Sequence, residues 1–310
     1  MTAISTEKVK SNKLSIVKAL LCLALFVFSL YFGGPIKAGV IEGLRLCAFN
    51  IIPTLFPFFI LSDLWNSVIE INTNSRIGKI FEKSFGISSD GMPSFLLGNL
   101  CGFPLGIKSA TEKYDSGNIS KSDLEALSVI SNNPSAAFAI SGVGMGLFSS
   151  IKVGVILYFS VLLSAICIGI IFRKKSEKPK NREENARQTF NLVNSVRSAG
   201  YCGVVVSSYI IFFSAIISAL GSIIKSEVFL SVFSSILEIG SACSLIAEQS
   251  KILDIFCLPL ISFSLSFSGL SVFLQAFSFL PPFISKRKYL LKKLLQGILS
   301  AIFTFFLCLI

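Results

Sequence analysis

Apolar runs long enough to cross a bilayer as a helix, about 20 residues, recur along this chain. They fall at 15–33, 47–69, 128–147, 151–172, 202–222, 253–279 and 293–310. Polar residues collect between them, so the pattern predicts a polytopic α-helical membrane protein. Two further stretches are apolar but interrupted. Met92 to Gly106 reads MPSFLLGNLCGFPLG, with Gly98, Gly102 and Gly106 set among Pro93 and Pro104. Phe229 to Ile246 reads FLSVFSSILEIGSACSLI, with Glu238 and Gly240 at its middle. Both are expected to break rather than run straight.

The polar segments differ in kind. Residues 173–198 are strongly charged and form the obvious linker. Residues 107–127 lead into a helix that Ser120 or Ser122 is placed to cap, with Glu125 three residues after Ser122 in a capping-box spacing. The order of elements is the same on either side of the linker: spanning helix, broken segment, small-polar start of a spanning helix, spanning helix. Within it Gly98-Asn99-Leu100-Cys101 aligns with Gly240-Ser241-Ala242-Cys243, and the segment from Ser131 to Phe138 aligns with that from Ser266 to Phe273. This organisation gives an N-terminal transmembrane helix at 1–34, a first repeat at 35–172, a basic cytoplasmic linker at 173–198 and a second repeat at 199–310.

Charge orients the chain. With a cytoplasmic N-terminus and both broken segments re-entrant, all but Lys37, Arg45, Lys152, Lys225 and Lys251 of the 28 basic residues lie on the cytoplasmic side, as the positive-inside rule requires. The two repeats then enter the membrane from opposite faces. The expected fold class is an all-α bundle of two inverted-topology repeats, each with a broken or re-entrant helix, an architecture common among secondary transporters.

Composition sharpens this. Hydrophobic residues make up 53% of the chain and charged ones 15%, against about 25% charged in soluble domains. The net charge of +11 therefore reads as loop charge beside lipid, and nucleic acid is not an expected partner. There is no histidine, which excludes His-dependent triads and His-ligated metals or haem. The eight cysteines have no CxxC spacing and read as small apolar filler. No nucleotide-binding motif of the G-x-x-x-x-G-K-[ST] type is present. The expectation is a non-enzyme without cofactor or metal, whose partners are the bilayer and a small polar solute or ion. The sequence leaves a homo-oligomer open.

Candidate binding residues follow from the interruptions. Broken backbone in a membrane must be buried in protein or line a wet cavity. Gly98, Gly102 and Pro104 supply such backbone and Asn99 adds an amide, though a close-packed hairpin of small residues would use the same glycines. Asn132 and Asn133 precede Pro134, which suits either a helix N-cap at Asn133 or paired amides facing the Gly98–Gly106 tip. Ser268 and Gln275 hold corresponding places in the second half, beside Ser266 and Gly269. Glu238 is the one carboxylate deep in an apolar run, where a charge costs at least ~2.5 kcal/mol. It reads as a pathway residue or as a protonated, hydrogen-bonded acid. Asp63 is shallower and reads as interfacial.

The segments PTLFPFFILSDL (53–64), GNLCGFPLG (98–106), SNNPSAAFAISGVG (131–144), Leu237-Glu238-Ile239-Gly240 and SFSGLSVFLQ (266–275) resemble the YlbJ-like sporulation integral membrane proteins, within the nucleoside recognition (Gate) domain superfamily. The resemblance covers nearly all of the chain beyond the first helix. That family typically has Gly-Tyr-Pro-x-Gly where this chain has Gly102-Phe103-Pro104-Leu105-Gly106. The resemblance implies a multi-pass protein of the bacterial cytoplasmic membrane, needed for spore cortex formation. It names no substrate, and no aromatic platform for a nucleoside base is identifiable. A transporter or channel-like protein is the leading expectation, and a non-transporting scaffold for spore-envelope assembly is the alternative.

Substituted-cysteine labelling in a cysteine-free background tests the orientation. Residues 178 and 288 are expected to be shielded in intact cells and residue 225 to be labelled from outside. External labelling at 288 removes the inverted-repeat arrangement.

Overall fold

The computed structural model describes residues 19–20, 22–68, 75–174 and 191–309, without the side chains of 50, 54, 63 and 65–68. Asp63 and residue 178 therefore lie outside the described side chains. All regular structure among the described residues is helical. In chain order the helices are α1 (Cys22–Tyr31), α2 (Gly33–Leu46), α3 (Ile52–Val68), α4 (Arg76–Phe85), α5 (Met92–Leu100), α6 (Leu105–Asp115) and α7 (Lys121–Ile130). There follow α8 (Phe138–Phe148), α9 (Ile151–Ile171), α10 (Leu192–Gly221), α11 (Glu227–Leu237), α12 (Ile239–Glu248), the short α13 (Ser250–Leu253), α14 (Cys257–Phe267), α15 (Gly269–Phe279) and α16 (Lys286–Cys308). Among the described residues four stretches are long and apolar enough to cross a membrane: α9, α10, α13 to α15 taken together, and α16. The bent α1–α2 pair makes a fifth if it counts as one span.

Several boundaries differ from those the hydropathy pattern predicts, each for a local reason. The expected first span bends by 87° between α1 and α2, where Gly33, Gly34 and Pro35 open the new helix. Pro is tolerated in a first turn because its missing N–H has no helical partner there. α2 then passes through a π-helical turn, Cys47–Ile51, into α3, so the expected 47–69 span begins a full fourteen-residue helix earlier. Residues 36–46 carry Lys37, Glu42 and Arg45, which hide the helix from a hydropathy window. All three are exposed, while Gly39, Gly43 and Cys47 are buried one turn apart.

That buried stripe is the α2–α10 seam. A Cβ at Gly39 would lie 2.5 Å from the Ser214 carbonyl oxygen, and one at Gly43 would lie 2.8 Å from Ile211 Cα. The pair is a small-xxx-small contact that lets two backbones touch, the form of packing that replaces the hydrophobic drive inside lipid. Ser218 Oγ donates to the Pro35 carbonyl at 2.8 Å across the same seam.

The expected spans 128–147 and 253–279 are both interrupted. Residues 132–135 are non-helical between α7 and α8, and Ser268 adopts φ +71 between α14 and α15. α7 is capped by a box between Ser120 and Asp123, so Asp123 takes the place expected of Glu125. The shorter acid suits this box because Asp123 also accepts from the Ser88 N–H, at 3.3 Å. α10 starts at Leu192 with Asn191 as its cap, so the last two turns of the expected linker are helix. The interior packs as several apolar clusters. One centres on Phe85, Phe95, Leu127 and Ile130, and another on Leu157, Ile239, Cys243 and Ile261.

Thermal melts in detergent test the seam. Gly39→Ala and Gly43→Ala are each expected to cost about 1–3 kcal/mol by overpacking. Gly200→Ala and Gly203→Ala on α10, where an added Cβ meets nothing within 4 Å, are expected to be neutral or to stabilise slightly through helix propensity. Equal melting temperatures for the two sets would show that α2 does not pack on α10.

Candidate functional site

The helix breaks come in pairs that lie against each other. In the first pair, the gap between α5 and α6 meets the gap between α7 and α8. A Cβ at Gly98 or Gly106 would collide with the Ser131 carbonyl oxygen, and one at Gly102 (φ +87) would lie 2.6 Å from the Ser135 nitrogen. The four-residue spacing of these glycines is thus the footprint of a second backbone. Phe103 N–H donates to the Asn133 carbonyl at 2.9 Å and joins the two gaps. Pro104 caps α6, and the Phe103–Pro104 peptide is cis.

Breaking a helix frees carbonyls that lipid cannot satisfy. Here side chains supply the donors. Asn99 Nδ2 donates to the carbonyls of Phe95 (2.8 Å) and Ile130 (3.1 Å). Asn133 Nδ2 donates to Ile130 O and to Asn99 Oδ1, both at 2.9 Å. The Asn99 carbonyl accepts from Tyr158 OH of α9 at 3.0 Å. Asn133 is not an N-cap, because Ser135 Oγ accepts from Phe138 N–H at the start of α8. The expected pair of amides divides: Asn133 turns to Asn99 beside the Gly98–Gly106 tip, whereas Asn132 turns to Tyr289 of α16.

The centre of this cluster is a residue that the charge count places on the cytoplasmic side. Lys293 is 1% exposed, and its ammonium donates to three oxygens: Asn132 O (2.9 Å), Gln296 Oε1 (3.0 Å) and Asn133 Oδ1 (3.2 Å). Gln296 Nε2 also donates to Asn133 Oδ1, at 2.7 Å. No carboxylate among the described residues pairs with Lys293. Asn132 Nδ2 donates to Tyr289 OH at 2.6 Å, and Asn132 Oδ1 is buried without a partner. Each amide along the line from Asn99 through Asn133 to Lys293 therefore presents its oxygen toward the positive charge. Such aligned dipoles strengthen one another in a low-dielectric interior.

Sequence reasoning missed Lys293, Gln296 and Tyr289, although their signal is present. Tyr289, Lys293, Gln296, Ser300 and Thr304 recur every three or four residues and are all buried. Leu291, Leu295, Ile298 and Ile302, on the other faces of α16, are exposed. A polar stripe at helical period on an apolar helix marks the face turned into protein. Ser300 Oγ lies 2.6 Å from Ser262 Oγ of α14, which continues the polar line.

The second pair of breaks is made by Glu238 and Ser268. Glu238 is extended (φ −150, ψ 129) between α11 and α12. Its buried carboxylate accepts from Gly240 N–H (2.8 Å) and Ser241 N–H (2.7 Å), which makes it a two-oxygen N-cap of α12. A Cβ at Gly269 (φ +68) would lie 3.0 Å from the Leu237 carbonyl oxygen, so this pair also abuts backbone to backbone. Ser268 Oγ donates to Leu265 O at 3.1 Å. Gln275 Nε2 donates to Ser271 Oγ at 3.2 Å while its Oε1 is unpartnered.

The predicted residues thus fall into two groups. Gly98, Asn99, Gly102, Pro104, Asn132 and Asn133 lie at the first break pair, where Asn132 and Asn133 touch Lys293. Glu238 and Ser268 mark the other break pair, with Gln275 on α15 beyond it. No hydrogen bond among the described residues joins the groups. Phe103, at the first break, does pack on the apolar cluster that holds Ile239, Ala242 and Cys243 at the start of α12.

Variants at Glu238 separate a cap from a titrating pathway residue. Ala removes both acceptors and is expected to cost about 1–3 kcal/mol of stability. Gln keeps one acceptor but turns an NH2 toward the other N–H, and is expected to recover less than half of that loss. Thermal unfolding in detergent checks the order wild type, Gln, Ala. A Gln variant as stable as wild type would show that the carboxylate does not cap α12.

The chain is similar to the sporulation integral membrane protein YlbJ of Bacillus subtilis (strain 168), at 25% identity, with 83% of this chain and 74% of that relative aligned. No protein-family model matches the chain, and no solved structure matches it. This similarity supports a YlbJ-like relationship, and the long apolar helices mark the chain as a multi-pass membrane protein.

Proposed function

We propose that the chain is a secondary transporter or channel-like protein of the bacterial cytoplasmic membrane. Its cargo is a small polar solute or ion, and its two break pairs are the cores of inverted Gate-type repeats. The observation that carries this reading is the Asn99–Asn133–Gln296–Lys293 cluster: an ammonium and three amides, each less than 5% exposed, gathered where four helix ends meet. A packed hairpin needs its carbonyls satisfied, but it does not need a net charge. Burying one without an anion is costly enough that intramembrane ionisable groups read as functional by default. The link to spore cortex formation rests on the sequence resemblance.

A scaffold for spore-envelope assembly is the second reading, favoured by one observation: the Glu238 carboxylate engages both oxygens in capping α12, a structural task.

A ligand screen on purified protein decides between them. Nucleosides, amino acids, sugars, carboxylates and inorganic ions are tested for a rise in melting temperature, then for uptake into proteoliposomes. A transporter is expected to respond to one class, with stabilisation of about 2.7 kcal/mol at 100 times Kd. Asn133→Ala is expected to abolish the response. Absence of any shift or uptake across the panel favours the scaffold.

A further inference from the structure

We infer that Asn132 O, Asn133 Oδ1 and Gln296 Oε1 form a cradle for a monovalent cation, and that the Lys293 ammonium is the cation occupying it. An ammonium has three N–H donors and no acceptor. The cradle offers three oxygens within 2.9–3.2 Å of Nζ and no donor. A neutral amine in the same place would set its lone pair against an oxygen, so the arrangement is complementary to the charged form. One of the three oxygens is a carbonyl freed by the break between α7 and α8. Freed carbonyls replacing a hydration shell are the means by which membrane proteins hold bare monovalent ions.

The separations exclude other occupants. They are longer than the roughly 2.0–2.1 Å that Mg²⁺ demands and the roughly 2.3–2.6 Å of Ca²⁺. Among the described residues no acidic side chain touches the cradle to neutralise a divalent ion. An anion would face three oxygens and find no free N–H, because each ammonium hydrogen has an acceptor. The remaining neighbour able to titrate is Tyr289, one turn earlier on α16 and joined through Asn132. The break residues and Gln296 contribute neutral amides and carbonyls. Tethering the cation to α16 means that the site cannot empty into solution, and this site then has no place for a coupling sodium or potassium ion. That consequence for coupling rests on the transporter reading, while the cradle itself does not.

The test uses full-length protein in detergent at constant ionic strength. Lys293→Ala opens the cradle, and propylammonium chloride is the probe, with sodium, potassium and choline chlorides beside it. The wild-type melting temperature is expected to be the same in all four salts. The variant is expected to melt several degrees lower in choline and to recover with rising propylammonium, and partly with potassium. Equal behaviour of the variant in propylammonium and choline overturns the proposal, as does a sodium- or potassium-specific rise in the wild type. Failure to recover folded variant even with propylammonium present throughout purification also counts against it. Lys293→Met, which fills the space without a charge, is expected to be destabilised in every salt. A Met variant as stable as wild type overturns the proposal by itself. Loss of a solute response alongside an intact propylammonium response would retire the transporter reading and leave the cradle standing.

Discussion

The constraint on which this structure depends is that a helix interrupted inside lipid must find partners for the backbone groups it frees. The protein meets it by pairing its interruptions. At the first pair, Gly98, Gly102 and Gly106 let the gap after α5 touch the gap after α7, and backbone then satisfies backbone through Phe103 and Asn133. What backbone leaves over is taken by Asn99, Asn133, Tyr158 and Lys293. At the second pair Glu238 caps α12 while Gly269 admits the Leu237 carbonyl. The two solutions use different chemistry, amides and an ammonium in one and a carboxylate in the other, for the same geometric problem.

The difference has an electrostatic side. The Glu238 carboxylate is held by two N–H groups at the N-terminus of α12, where the helix dipole favours a negative charge. The Lys293 ammonium is held by oxygens of freed carbonyl and amide groups, where a positive charge is favoured. One acidic and one basic side chain are thus buried, each held by dipoles and neither by an ion pair among the described residues. Polarity in the interior is arranged by the direction of peptide and amide groups, a device that works only if the helices carrying them stay in register.

Much of this was legible in the sequence. Gly and Pro density marked the break at 101–104, Glu238 marked the second, and the alignment of 98–101 with 240–243 and of 131–138 with 266–273 picked out four segments at or beside helix breaks. What escaped reading has physical causes. A hydropathy window averages over a turn, so it dismissed α2, whose charges all face outward while a stripe of small residues makes the contact. It also averaged across 132–135 and Ser268, because a break made of Asn, Pro and Ser in an apolar context lowers hydropathy little. Lys293 was assigned to solvent because four other basic residues precede it within seven positions. Spacing along α16, rather than charge density, is what separates it from Lys286, Arg287, Lys288 and Lys292.

α16 follows every other described helix in the chain, yet it supplies the donors that the Asn132 carbonyl and the Asn133 side-chain oxygen accept. During synthesis the first break pair is therefore made long before the side chains that complete it. Until α16 inserts, a carbonyl and an asparagine amide sit in the membrane interior lacking their final partners, so the nascent first half is an incomplete intermediate that water, lipid headgroups or a membrane chaperone must tolerate. Assembly of this protein is committed late, by docking of a helix rather than by closure of either half, and polypeptides truncated before residue 286 would present quality-control proteases with an unfinished polar seam.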